Sequence, residues 1–157
     1  MTKNTAETIN HEDFLFINDS LVEIFDKILR IEERELRKSR FKDITINELH
    51  LVHAITLHEQ KTTSAVAHEL HLSKGSLTSS VNTLVKRGYV ERIRNQQDRR
   101  VINLTLTSKG RLLYRAHDAF HRQLVKSFLI GMDENDMPLI KRALTNLQNF
   151  VDEATNH

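Results

Sequence analysis

The chain has no cysteine and no tryptophan, a single proline and only four glycines in 157 residues. Without thiols it has no disulfides, no thiolate zinc sites and no thiol-based redox switch, which fits a reducing cytosol. Four glycines leave little room for a glycine-rich phosphate loop, and no nucleophile elbow or metalloprotease motif appears, so no enzymatic activity is expected. No run approaches the roughly 18 apolar residues of a membrane span, and MTKNTAETIN lacks the apolar centre of a signal peptide. The expectation is a cytoplasmic protein with no membrane partner and no cofactor.

The chain does carry a lopsided charge distribution. A net charge of +2 hides ten Lys/Arg against three acids between Thr62 and Arg115, a local +7 that leaves −5 for the remainder. A basic segment on an acidic body suits phosphate binding, where released counterions supply most of the non-specific affinity; a solvated surface is the plainer alternative. The length fits one domain, residues 1–157, large enough to bury about 68–70% of its unfolded surface.

Apolar residues recur at helical spacing from Phe14 to Ile31, predicting a long first helix to about Lys38. ITINELHLVHAITLH, from Ile44, predicts a second helix capped by Thr45 or Asn47, with Leu49, Val52 and Ile55 on one face. A third begins after Thr62 or Thr63 and buries Val66, Ala67 and Leu70. Leu72 is expected to fill the next turn, and Ser73 to cap a fourth helix ending at Arg87 with Gly88 beyond it. Thr107 or Ser108 caps a fifth helix ending near Gly131. A sixth starts near Asp136, because a start at Asp133 would place Pro138 too deep. The first, fifth and sixth helices offer more apolar positions than one small module can cover. Two-fold pairing through residues 11–38 and 108–155 is the simplest way to bury them.

Between Gly88 and Gly110, two β-branched runs, YVERI and VINLTL, flank a polar tip containing Asp98, Arg99 and Arg100. That is a β-hairpin, and after a helix-turn-helix pattern it is a wing that reaches a neighbouring DNA groove. The winged helix-turn-helix spans about residues 45–106 in a mainly α fold with a small β wing. On the fourth helix, Leu77, Val81, Leu84 and Val85 are assigned to the core. Ser73, Lys74, Gly75, Ser76, Thr78, Ser79, Asn82, Thr83 and Lys86 are left toward solvent or DNA, and Asn82 is a candidate for pairing with adenine. In the wing, Arg100 is the candidate for minor-groove insertion, braced by Asp98, while Arg99 holds phosphate and Arg94 is a further candidate DNA contact; the Asp-Arg pair is otherwise a turn-stabilising ion pair.

The helix order, LSKGSLTSSVNTLVKRGYVER and the Asp-x-Arg wing followed by LTLTSKG together resemble the MarR family of dimeric winged helix-turn-helix regulators over nearly the whole chain. The resemblance implies a homodimer on double-stranded DNA with a palindromic operator, with Arg100 as the minor-groove arginine and Asp98 as its support. ELRKSRFKDITINELH, RGYVERIRNQQDRRVINLTLTSKGRLLYRAHDAFH and ALTNLQNF resemble a narrower branch, the repressors of fatty-acid synthesis genes in Gram-positive bacteria such as streptococci. That likeness implies acyl-acyl carrier protein as co-repressor. Acyl carrier proteins are strongly acidic, and Arg34, Arg37, Lys38, Arg40 and Lys42 offer a basic surface, unless they are a solvated helix end paired with Glu32, Glu33 and Glu35. Ile28, Ile31, Leu49, Val52, Ile55 and Phe120 are candidates to line an acyl slot, or are ordinary core.

Nine histidines raise a different possibility, a regulator that responds to a metal ion or another small ligand. His117 and His121 are spaced i, i+4 and His50 and His53 i, i+3, each pair on one helix face. Two imidazoles are not a site, and no carboxylate or Cys partner can be placed from the sequence, so no metal ligand is assigned. His68 and His71 lie beside the fourth helix. A winged-helix module that has lost DNA binding is a further alternative, disfavoured by the +7 segment.

Overall fold

The computed structural model describes residues 9–155, in the order α1 (His11–Lys38), α2 (Ile46–Ile55), β1 (Lys61–Thr62), α3 (Thr63–Glu69), α4 (Lys74–Lys86), β2 (Val90–Arg94), β3 (Ile102–Leu106), α5 (Ser108–Phe128) and α6 (Met137–Thr155). The backbone forms two compact units, Met1–Asn47 and Glu48–His157. Among the described residues no helix is long and apolar enough to cross a membrane.

In the first unit, Asn10 opens α1 by accepting the Asp13 amide on its side chain at 2.8 Å, with acids in the first turn and Arg37 and Lys38 in the last, as the helix dipole favours. Most of the apolar stripe is exposed: Phe14, Ile17, Leu21, Ile24, Phe25 and Leu29 all lie open to solvent in the isolated chain.

In the second unit, α2 is shorter than the periodicity predicts. It ends at Ile55 rather than at His58, because Thr56 turns to φ +65°, a left-handed conformation that breaks the helix. Leu51 and Ala54 are buried beside Leu49, Val52 and Ile55, so α2 is covered nearly all round. Thr62 caps α3 and Ser73 caps α4, accepting the Ala65 and Ser76 amides at 3.1 Å; such caps contribute about 1 kcal/mol each. Leu72 is exposed rather than filling the turn, and Leu70 and Val85 are half-buried. The α4 terminus closes in a Schellman motif: Gly88 at φ +78° donates to the Val85 carbonyl, and Tyr89 to that of Leu84.

β2 and β3 pair antiparallel from Val90–Leu106 to Arg94–Ile102, and the two-residue β1 adds to the other edge of β3. A strand that short leaves no periodic signal, so β1 is absent from the sequence reading. The LTLTSKG motif acquires a physical role here. Thr107 Oγ1 accepts the Gly110 amide at 3.0 Å while its own hydroxyl donates to the Gly88 carbonyl at 2.6 Å. A Cβ on Gly110 would lie 2.1 Å from the Tyr89 carbonyl oxygen, so only glycine lets α5 approach the base of the wing. Pro138 is the second residue of α6, within the first turn, where its missing N–H costs nothing.

Candidate nucleic-acid interface

Leu77, Val81 and Leu84 anchor α4 in the core with 2%, 0% and 0% exposure, which turns the opposite face outward. Lys74, Gly75, Ser76, Thr78, Ser79, Asn82 and Lys86 are exposed, with Ser73 at the cap; Thr83 is half-buried. The hydroxyls of Thr78 and Thr83 donate to the Lys74 and Ser79 carbonyls at 2.7 and 3.2 Å. Their lone pairs and methyl groups remain to face a ligand. A Cβ at Gly75 would meet only Ser73 Oγ, at 3.9 Å, so the fold does not require glycine there.

Asn82 is held by the wing. Arg92 on β2 donates from Nη2 to Asn82 Oδ1 at 2.7 Å. The amide oxygen accepts that bond, which ties the exposed Asn82 side chain to the wing. That oxygen keeps a second lone pair, so a base can share it with Arg92.

At the wing tip, the side chain of Asn95 accepts the Gln97 and Asp98 amides at 2.8 and 3.1 Å, and Asp98 accepts the Arg100 backbone amide at 2.9 Å. Asp98 thus braces the turn through the backbone of Arg100. The Arg100 side chain is left exposed beside those of Arg99 and Arg94. Other cations of the basic segment serve the fold. Arg87 forks onto the Glu48 carboxylate at 2.9 and 3.2 Å, Lys109 sits 4.0 Å over the Tyr89 ring, and Arg111 donates to the Leu106 carbonyl at 3.1 Å. Neither the Arg87–Glu48 pair nor the Arg92–Asn82 bond is foreseeable from local pattern, because the partners lie 39 and 10 residues apart.

The residues assigned to an effector divide between the units. Arg34, Arg37 and Lys38 line a shallow surface hollow on α1 with Arg30 and Glu33. Arg37 pairs with Glu33 and Arg34 with Glu35, so part of that charge is satisfied locally; Arg40 and Lys42 follow the helix and are exposed. Of the apolar set, Ile28 and Ile31 belong to the first unit. Leu49, Val52 and Ile55 are buried in the second, where Phe120 is half-buried.

Elsewhere in the second unit, the histidines of α2 and α5 meet. The Nε2 atoms of His117 and His121 are 3.0 Å apart, and His53 stacks on Tyr114 with ring centroids 4.7 Å apart and planes 7° from parallel. Burial above all, and then the neighbouring imidazoles His121, His53 and His50, push His117 down to about 3, against the pull of Asp118. Burial also lowers His53, with His121 next in effect.

Residues 42–101 match the MarR family. The fold is similar to that of FabT from Streptococcus pneumoniae, solved in complex with DNA, with 43% identity, a TM-score of 0.80, and coverage of 90% of this chain and 99% of that one. In sequence the chain is 31% identical to the transcriptional repressor MprA of Escherichia coli over 85% of its own length and 80% of the relative's. It is likewise 31% identical to the regulator SarZ of Staphylococcus haemolyticus over 60% of its length, spanning 64% of that protein. These relatives are transcriptional regulators, not enzymes. With the cap-to-wing geometry and the extent of these matches, the chain belongs to the MarR family of winged helix-turn-helix DNA-binding regulators.

Proposed function

We propose that this regulator is a homodimeric repressor of fatty-acid biosynthesis genes that acts in the cytoplasm, grips a palindromic operator and takes long-chain acyl-acyl carrier protein as co-repressor. The observation that carries the DNA half is the shared frame of two exposed surfaces. The polar face of α4 and the wing tip are tied together by the Arg92–Asn82 bond and by the β2–β3 ladder. In the bound state α4 enters the major groove with its capped N-terminus leading. Lys74 and Lys86 hold phosphates, while Ser76, Thr78, Ser79, Asn82 and Thr83 meet base edges. Arg100 enters the adjacent minor groove, and Arg94 and Arg99 hold its phosphates.

The FabT likeness supports the choice of target genes, as does the sequence resemblance to fatty-acid repressors. The basic residues Arg34, Arg37, Lys38, Arg40 and Lys42 suit an acidic carrier protein. Ile28, Ile31, Leu49, Val52, Ile55 and Phe120 are the apolar residues offered to its acyl chain. The co-repressor acts by binding the DNA-competent dimer better than its alternative.

Operator binding measured across a salt series, with and without the carrier protein, tests both halves. Affinity should fall steeply with salt, and Arg99→Ala should reduce the log-log slope by about 0.9 if Arg99 neutralises one phosphate. Arg100→Ala should weaken binding by roughly 10-fold or more. A salt-independent affinity, or an unchanged Arg100→Ala protein, sinks the wing assignment. An operator affinity indifferent to acyl-acyl carrier protein sinks the co-repressor.

A further inference from the structure

Thr56 Oγ1 and Asn103 Oδ1 are buried without a hydrogen-bond partner among the described residues, and both belong to segments that meet at the root of the wing. Asn103 lies mid-sheet: it is paired with Ile93 on β2 to one side and with Thr62 on β1 to the other. Its side chain is 6% exposed and donates from Nδ2 to Gln60 Oε1 at 3.2 Å, a diagonal cross-strand contact. Gln60 ends the connection that begins at Thr56, where the backbone takes its left-handed φ of +65°. Strain and unpaired polar atoms thus gather where α2 hands over to the sheet. We propose that Asn103 and Gln60 are positioning residues for DNA binding, a latch that sets the angle of the wing and with it the reach of Arg100.

Energetics argue against a role confined to folding. A buried carboxamide oxygen without a partner carries its whole desolvation penalty, and an apolar side chain of the same shape would carry none. The centre of a strand is ordinarily apolar or β-branched. Such a cost persists where the surrounding structure holds a group in place for function. Asn103 and Gln60 also border an open hollow with Arg94, Asn95, Gln96 and Gln97, so the wing tip is undercut on that side and its angle depends on the root. The pair is half made: two carboxamides can exchange two bonds, and here one is present. A wing seated in the groove that brings the NH₂ group of Gln60 to Asn103 Oδ1 completes the pair and recovers the penalty, which couples docking of the wing to closure of the latch. The inference rests on the wing reading proposed above.

Affinity for a palindromic duplex selected in vitro by the parent protein, measured beside the thermal midpoint, tests the latch. Asn103→Leu removes the unpaired oxygen in a side chain of similar shape. It should hold or raise Tm yet weaken operator binding about 5-fold or more, a split that a purely folding role does not give. Gln60 is exposed, so Gln60→Ala leaves the core undisturbed and carries the test if Asn103→Leu fails to fold; it should weaken binding to a similar extent. Combined with Arg100→Ala, Gln60→Ala should add little further loss, whereas its effect should add in full to that of Lys74→Ala on α4. An Arg100→Ala protein that binds as the parent does overturns the wing reading, and the latch with it. If Arg100→Ala weakens binding while Gln60→Ala leaves it unchanged, or if those two losses simply add, the wing reading stands and the latch is overturned.

Discussion

The winged module and the terminal helices treat their apolar residues in opposite ways. Val66, Val81, Leu84 and Leu104 of the module have no solvent exposure, and its helix ends and hairpin are closed by capping side chains and backbone bonds. In α1 and α6, Phe25 is 55% and Phe150 68% exposed, and α6 buries no residue at all. Both helices carry an apolar stripe at helical spacing, so the difference is not one of composition. The module completes its core within the chain, whereas the terminal helices present a face that another surface must complete. A second copy is the simplest occupant for a dimeric regulator, because a two-fold interface buries the same stripe twice.

The sharpest way to break this contrast is to charge the exposed stripes. Phe25→Asp combined with Phe150→Asp should yield a monomer in sedimentation. Each buried Phe contributes about 1.5–3 kcal/mol and, by symmetry, counts twice. An unchanged dimer would place the interface elsewhere. The module should be vulnerable to the opposite kind of change, added volume. Gly110→Ala drives a Cβ against the Tyr89 carbonyl and should cost about 3 kcal/mol or more, a fall of roughly 6–12 °C in Tm.

Acid probes the packing of α2 against α5. His117 is depressed to about 3 when folded, against about 6.5 when unfolded, so the unfolded chain takes up the proton first as pH falls. Its stabilising contribution is whole above about pH 6.5 and drains away as pH falls toward 3. The protein should therefore lose on the order of 1–2 kcal/mol by pH 5 relative to pH 7, as read by urea melts at the two pH values. His117→Gln should flatten that dependence.

Smaller effects separate folding from reading inside the module. Gly75→Ala should stabilise the protein by up to about 1 kcal/mol, since alanine suits a helix and meets nothing, yet weaken operator binding by crowding the DNA side. If both properties improve, Gly75 does not approach DNA. Arg92→Ala releases the Asn82 oxygen and should relax base preference only a few-fold, with a thermal midpoint near that of the parent.

Much of the architecture was legible in local chemistry. Ser73, Thr62 and Thr107 are short polar caps, and Gly88 ends α4 where a left-handed residue is needed. Pro138 marks the first turn of α6. Periodicity located the buried faces of α2 and α4 but overran α2, because the left-handed Thr56 carries no strong sequence signature. Leu72 failed as a core residue for a related reason: hydrophobicity names candidates for burial, and only packing decides which are covered. In the candidate interface, the exposed positions of α4 and the wing arginines followed from pattern. The orientation of the Asn82 amide did not, because it depends on Arg92 across the helix–wing junction.

The sequence by itself determined what lies within a few residues of its cause: helix ends, the hairpin, the basic segment and the two histidine pairs. Tertiary structure alone decided what depends on elements meeting. It joined β1 to the wing, seated Arg87 on Glu48, and gave Gly110 its steric reason. It also gathered His50, His53, His117 and His121 into one cluster from two helices more than sixty residues apart in the chain. Spacing along one helix can align two imidazoles, but only the packing of a second helix can bring another pair against them.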